Sequence, residues 1–136
     1  MQGLDPHTLF SIFEQGDEQV YKEHGMQDVL SNPFVLVGMV VTGVQNYHLM
    51  DLMYMRQFPT EYKQVRQLTK RKYFNNLYKY LLRVDIGNID NTYEIGESFD
   101  IKEAKFSLNT LLKFYEDLEE YEKCAVIVKF IRLFDR

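Results

Sequence analysis

The residues able to do chemistry are few and scattered. The three histidines, His7, His24 and His48, lie far apart. None stands in an HExxH pair, whose two imidazoles four residues apart meet one zinc ion from a single helix face. His48 and Asp51 share a helix face at a spacing of three. They read as an acid–base dyad or as a polar pair on a partly buried helix, and the polar pair is the expectation. No phosphate-cradling glycine loop and no GxSxG nucleophile turn occurs. The stretch VDIGNIDN, residues 84–91, has the Asp and Asn content of a calcium loop. An EF-hand needs oxygen ligands at its first, third and fifth positions, and counting from Asp85 places Gly87 and Ile89 there. Cys124, the single cysteine, falls in an apolar stripe where a small side chain packs, a structural role and not a nucleophile's. The expectation is no enzyme, no catalytic or metal site, no cofactor and no small-molecule substrate.

Charge is the stronger signal. Residues 60–83 carry seven Lys or Arg against Glu61 alone, whereas residues 1–58 and 84–136 each sum to −5. The chain is therefore acidic, basic, acidic, with a net charge of −4 that argues against bulk nucleic-acid affinity but not against a local patch. Within the basic stretch, Lys63, Arg66, Lys70, Arg71, Lys72 and Lys79 alternate with Tyr73, Phe74, Tyr78 and Tyr80. Such a face could contact phosphates while its aromatic rings stack on bases. It reads equally as a solvated face, as a partner for the acidic parts of its own chain, or as a dock for an acidic protein. At the other end, Glu116, Asp117, Glu119, Glu120 and Glu122 form an acidic knuckle, either a solvated turn or a dock for a basic partner.

The elements that position these groups read as an all-α chain, a helical bundle of about five or six helices in one domain over residues 1–136. Residues 1–30 hold two short helix signals: Asp5-Pro6 opens one with Leu9, Phe10, Ile12 and Phe13 inside, and Asp17 caps a second with Val20 and Tyr21. They read as a lid on something larger. Asn32-Pro33 opens the next element, 33–57, whose run FVLVGMVV is a buried strand or a central helix. Helical spacing continues through Phe34, Val37, Val41, Val44, His48, Leu52 and Met55, which selects the helix. No charge occurs between Asp28 and Asp51, but Asn, Gln and His interrupt the apolar run well short of the roughly 18 residues a membrane span needs. Thr60 caps the basic helix, 60–83. Residues 84–99 break the pattern with Gly87, Asn88, Asp90, Asn91 and Gly96, and Val84, Ile86, Tyr93 and Ile95 alternate, which predicts a short β-hairpin at 84–96 or an ordered loop.

The last element, 100–134, has the clearest period. Ile101, Ala104, Leu108, Leu111, Tyr115 and Leu118 draw one helical stripe, and Tyr121, Cys124, Val128 and Ile131 a second, flanked by Ile127 and Phe134. Asp100 and Glu103 are spaced to cap the first amides reciprocally. Glu119-Glu120 separates the stripes without Gly or Pro, so two antiparallel helices joined by a tight turn are expected.

Tyr115, Tyr121 and Cys124 have aromatic, aromatic, small spacing across that turn, and on this ground residues 107–134 resemble a tetratricopeptide-repeat hairpin. Leu112 stands where that family takes a small residue, and Glu119 where it takes glycine. The run from Glu120 to Ala125, continuing to Ile127 and Ile131, is also similar to the second half of a UVR motif. Here Val128 and Lys129 replace that family's charged pair, and Leu118 is one residue out of register. Either resemblance implies a hairpin used for protein contact; the other reading is a hairpin that closes the core.

Tyr and Phe number ten each, an abundance that needs an extensive core or a surface that meets partners. The opening MQGLDPHTLF lacks a basic stretch before an apolar core, so no signal peptide is expected; with one cysteine, a cytoplasmic location follows as the expectation. The functional expectation is a non-catalytic interaction or accessory protein, its partner a protein or a second copy of itself. It would bind through Glu119, Glu120 and Glu122 or through the basic helix, with nucleic acid on that helix as the alternative.

Overall fold

Proline placement sets the frame of the fold. In the computed structural model, which describes residues 31–135, α1 runs Pro33–Gln57 and α2 runs Pro59–Leu82. Pro33 occupies the first turn of α1, where a missing N–H costs nothing, and the Asn32 side chain accepts the free amides of Phe34 (2.8 Å) and Val35 (3.4 Å). Phe58 alone separates the first two helices. Its N–H donates to the Tyr54 carbonyl and its own carbonyl accepts from Tyr62 N–H, so one residue closes α1 and opens α2. Pro59, not Thr60, is the first residue of α2: proline cannot prolong α1 but can begin a helix. The two helices then run antiparallel, with Tyr54 against Tyr62, Tyr47 against Phe74 and Gly43 against Leu77. A Cβ at position 43 would stand 2.6 Å from Leu77 Cδ2, so the close approach needs glycine there.

The expectation for residues 84–99 is corrected. No β-hairpin and no extended loop forms; a brief turn leads into α3, Ile89–Ser98. Gly87 and Asn88 do lie in the turn, but the turn starts a helix, and Asp90, Asn91 and Gly96 fall inside it. Asp85 Oδ1 accepts from Gly87 N–H (2.9 Å), and Asn88 Oδ1 accepts from Asn91 N–H (3.1 Å) as the cap of α3. Tyr93 and Ile95 were spaced to share one strand face. On a helix two residues differ by about 200°, and Ile95 is buried while Tyr93 points to water.

The hairpin of the last element forms as α4, Ile101–Asp117, and α5, Tyr121–Arg132. Asp100 accepts from Glu103 N–H (2.9 Å), the side-chain half of the expected cap. At the turn, Glu120 N–H reaches back to the Tyr115 carbonyl (2.9 Å) and Glu119 N–H to that of Glu116 (3.0 Å), with Glu119 at φ 59°. This is the left-handed closure that glycine usually supplies. Ala104, Leu108, Leu111 and Tyr115 are buried on α4, and Cys124, Ile127 and Phe130 on α5, with Phe134 just beyond. Ile101, Leu118 and Tyr121, expected inside, are exposed.

Helix α1 lies at the centre. Beside α2 on one flank, α4 packs on the other in the same direction: Phe34 stacks on Phe99 (4.9 Å), and Ser107 Oγ donates to the Val41 carbonyl (3.0 Å). α3 also packs on α1, and α5 packs on α4. The described residues are all-helical in five helices, and none of these helices is long and apolar enough to cross a membrane. The short helices and lid read from residues 1–30, with His7 and His24, lie outside the described residues.

Candidate functional site: a groove beside a charge clamp

The stripe on α1 splits in two. Val37, Val41 and Val44 are buried as its spacing required, but Leu52 is 66% exposed and His48 only half-buried. Downstream of Val44 the buried line passes instead through Tyr47, Met50, Asp51 and Tyr54, of which Tyr47, Asp51 and Tyr54 meet side chains of α2. A carboxylate thus enters the core where a leucine was expected.

Asp51 is held there by a clamp from α2. Its Oδ1 accepts from Tyr62 Oη (2.7 Å) and Arg66 Nε (2.9 Å), and its Oδ2 from Arg66 Nη2 (2.6 Å), a bidentate charge-assisted pair. Burial acts to raise the Asp51 pKa, but the bonds from Arg66 and Tyr62 outweigh it and hold the carboxyl below its ordinary value. The same bonds raise the Arg66 pKa. Tyr62 and Tyr47 are pushed up by burial first, and by the neighbouring Asp51 charge. With both oxygens so occupied, Asp51 serves Arg66 and Tyr62, and the His48–Asp51 dyad does not form.

Beside the clamp, on the exposed flank of α1, an open groove of about 580 Å³ is lined by Gln45, His48, Leu49, Asp51, Leu52 and Phe106. Leu49 is 68% exposed and Phe106 58%. The His48 ring lies 6.0 Å from that of Phe106, and its Nε2 is buried without a hydrogen-bond partner. These residues were missed as a site. The signal was nonetheless present: Phe106 is an aromatic on the polar side of an otherwise regular α4 stripe, and Leu49 and Leu52 continue α1 past the point where α4 covers it.

The sequence-derived contact residues fare unequally. Lys63 and Lys79 are exposed on α2, as is Lys72. Arg66 is committed to Asp51. The Lys70 ammonium lies 5.8 Å from the Phe74 ring centre and 5.5 Å from that of Phe114. Arg71 reaches Glu120 at 3.6 Å. Glu120 is half-buried and also meets Lys123 (3.5 Å), whereas Glu119 and Glu122 are exposed. Basic helix and acidic knuckle are therefore partly each other's partner. Asn75 Oδ1 adds to this latch, accepting from Tyr115 Oη (2.7 Å) and Lys123 Nζ (3.3 Å). The aromatic rings proposed to stack on bases do not reach the surface: Tyr73, Phe74, Tyr78 and Tyr80 are all buried, and their alternation with cations on paper is an inside–outside alternation in space. Cys124 occupies its small slot, Sγ 4.0 Å from the Leu112 carbonyl, and burial raises its thiol pKa, which suits packing and not attack. Among the described residues no cluster of His, Cys, Asp or Glu is arranged to hold a metal ion.

Neither a protein-family model, nor a curated protein sequence, nor a solved structure matches the chain.

Proposed function

We propose that this chain is a non-catalytic interaction protein, an accessory or adaptor subunit that contacts a protein partner. The observation that carries the reading is the groove: Leu49, Leu52 and Phe106 hold apolar surface in water beside a helix whose other flanks are covered. Exposed apolar surface gathered at one concave place is a contact feature; scattered single leucines are not. Exposed Lys63 and Lys79 on α2, and Glu119 and Glu122 at the hairpin turn, supply charged surface beyond it. The reading shifts the main contact from the acidic knuckle, since Glu120 is engaged with Arg71 and Lys123.

The nucleic-acid reading is weaker on a specific ground. With the rings of α2 buried, only phosphate contacts from its lysines are left to support it. Light scattering on the purified chain, with a pull-down from the native source, separates the readings. The interaction reading expects a stoichiometric protein partner retained at physiological salt. A strict monomer retaining no protein sinks it, and a nuclease-sensitive complex that dissolves steeply with salt favours the alternative.

A further inference from the structure

Apart from the groove, we infer that the outer faces of α2 and α3 form a self-complementary patch through which two copies of this chain pair about a two-fold axis. Charge changes abruptly where the two helices join. Residues 62–83 hold seven Lys or Arg and no acid, whereas residues 84–101 hold five Asp or Glu and no Lys or Arg. The fold does not let the two sets neutralise each other. α3 packs on α1, and the ion pairs of α2 run to Asp51 and Glu120. Among the described residues, Lys79 and Arg83 on α2, and Asp90 and Glu94 on α3, are exposed and belong to no ion pair.

Each pair of charges stands beside apolar surface. Lys79, Leu82 and Arg83 share one face at spacings of three and four, and Leu82 is 57% exposed. On α3, Ile89 and Tyr93 are one turn apart, 81% and 69% exposed, with Asp90 and Glu94 next to them in the same register. Only residues 83–88 separate Leu82 from Ile89. That connection is folded back on itself, since the Asp85 carbonyl accepts from both Asn88 N–H (3.4 Å) and Asn91 Nδ2 (3.5 Å). None of these residues lines the groove.

Charge and symmetry together select the occupant. An acidic partner is drawn to Lys79 and Arg83 but repelled by Asp90 and Glu94, and a basic partner the reverse. A second copy carries both signs in the same arrangement. Turned through 180°, it sets α3 of each chain on α2 of the other, so the match is made twice. Leu82 of one copy then meets Ile89 and Tyr93 of the other.

Sedimentation velocity on the full chain, from about 1 to 100 μM, should show a dimer whose Kd rises about tenfold or more in Ile89→Asp. A charge swap decides the geometry. Lys79→Glu with Arg83→Glu makes both halves acidic, and Asp90→Lys with Glu94→Lys makes both basic, so each double variant alone should be monomeric. Mixed in equal amounts they should pair again, as should one chain carrying all four changes. Circular dichroism checks folding, and Ile89→Asp carries the test if a swapped chain unfolds. A wild-type monomer throughout the range, a dimer that both swaps leave intact, or a mixture of folded variants that does not pair overturns the inference. So does a dimer lost in Leu52→Asp and kept in Ile89→Asp, which moves the pairing to the groove. A monomeric chain that still retains another protein overturns this inference alone and leaves the interaction reading standing.

Discussion

Two helix pairs in this molecule are each joined by a short connection, and they are built on opposite principles. The α4–α5 pair has an apolar inner side of Ala104, Leu108, Leu111, Cys124 and Ile127, and the helices meet at Cys124, whose sulfur lies 4.0 Å from the Leu112 backbone carbonyl. The α1–α2 pair has a polar interior. Asp51 and Thr69 are buried there beside Tyr47, Tyr54, Tyr62 and Phe74, and the charge is held by Arg66. The first pair depends on steric fit and the second on complete pairing of a buried charge. Losing one partner of such a charge costs more than a misfit of a methyl group or two.

The largest effect should therefore come from Arg66→Ala, which leaves Asp51 with Tyr62 alone. We expect a loss of about 2–3 kcal/mol, held below the fully buried limit because Arg66 is partly in water, and read as a lowered midpoint in urea or heat. Arg66→Lys should recover only part of it, since an ammonium cannot grip both oxygens. The sign with pH follows from the lowered Asp51 pKa. Its stabilisation is present above the ordinary value of 3.8 and is withdrawn as pH falls through the lower folded value. Wild-type stability should fall on acidification below about pH 4, more steeply than that of Asp51→Asn. An Arg66→Ala protein as stable as wild type would place the α1–α2 pair on the same footing as the hairpin.

In the hairpin, Cys124→Leu should cost about 1–3 kcal/mol by overpacking the slot, while Cys124→Ala keeps the close approach and loses less. Equal melting temperatures for Cys124→Leu and wild type would mean that the helices do not meet there. A gain is expected at the turn: Glu119→Gly relieves a left-handed residue with a side chain and should stabilise by about 1 kcal/mol. No gain would show that the Glu119 side chain makes good its conformational cost. The smallest effect belongs to the latch joining the two pairs. Glu120→Gln should cost roughly 0.5 kcal/mol in low salt, whereas Glu122→Gln should leave the midpoint unmoved; a larger loss for Glu122 would relocate the contact between hairpin and α2.

The same contrast decides how much could be read beforehand. The hairpin was legible because α4 and α5 each meet the rest of the molecule on one side, so burial writes a simple period into the residues. Ala104, Leu108, Leu111 and Tyr115 follow it, as do Cys124 and Ile127. The helix starts at Asn32-Pro33 and Asp100 were also determined locally, because a cap is satisfied within three or four residues of chain. Residues 84–99 mark the limit of local reading. Of their turn formers only Gly87 and Asn88 lie in the turn, while Asp90, Asn91 and Gly96 fall inside α3; a turn that opens a hairpin and one that caps a helix use the same residue types. Packing of Ile95 and Gly96 on the inward side of α3 decides between them.

What only the tertiary structure decided lies on α1 and α2. A helix enclosed by α2, α3 and α4 is buried over a wider arc than the one stripe read from its spacing, so Asp51 read as half of a polar pair with His48 until Tyr62 and Arg66, eleven and fifteen residues away, supplied its partners. The cations and aromatic rings of α2 formed one mixed run in the chain and were divided by the fold into a wet side and a core. Sequence order alone determined where helices begin, which faces of the hairpin are apolar, and that charge is segregated along the chain. Which charges are already neutralised at home, and where apolar surface is left open beside Phe106, depended on residues brought together from distant segments, because burial and pairing are properties of neighbours in space.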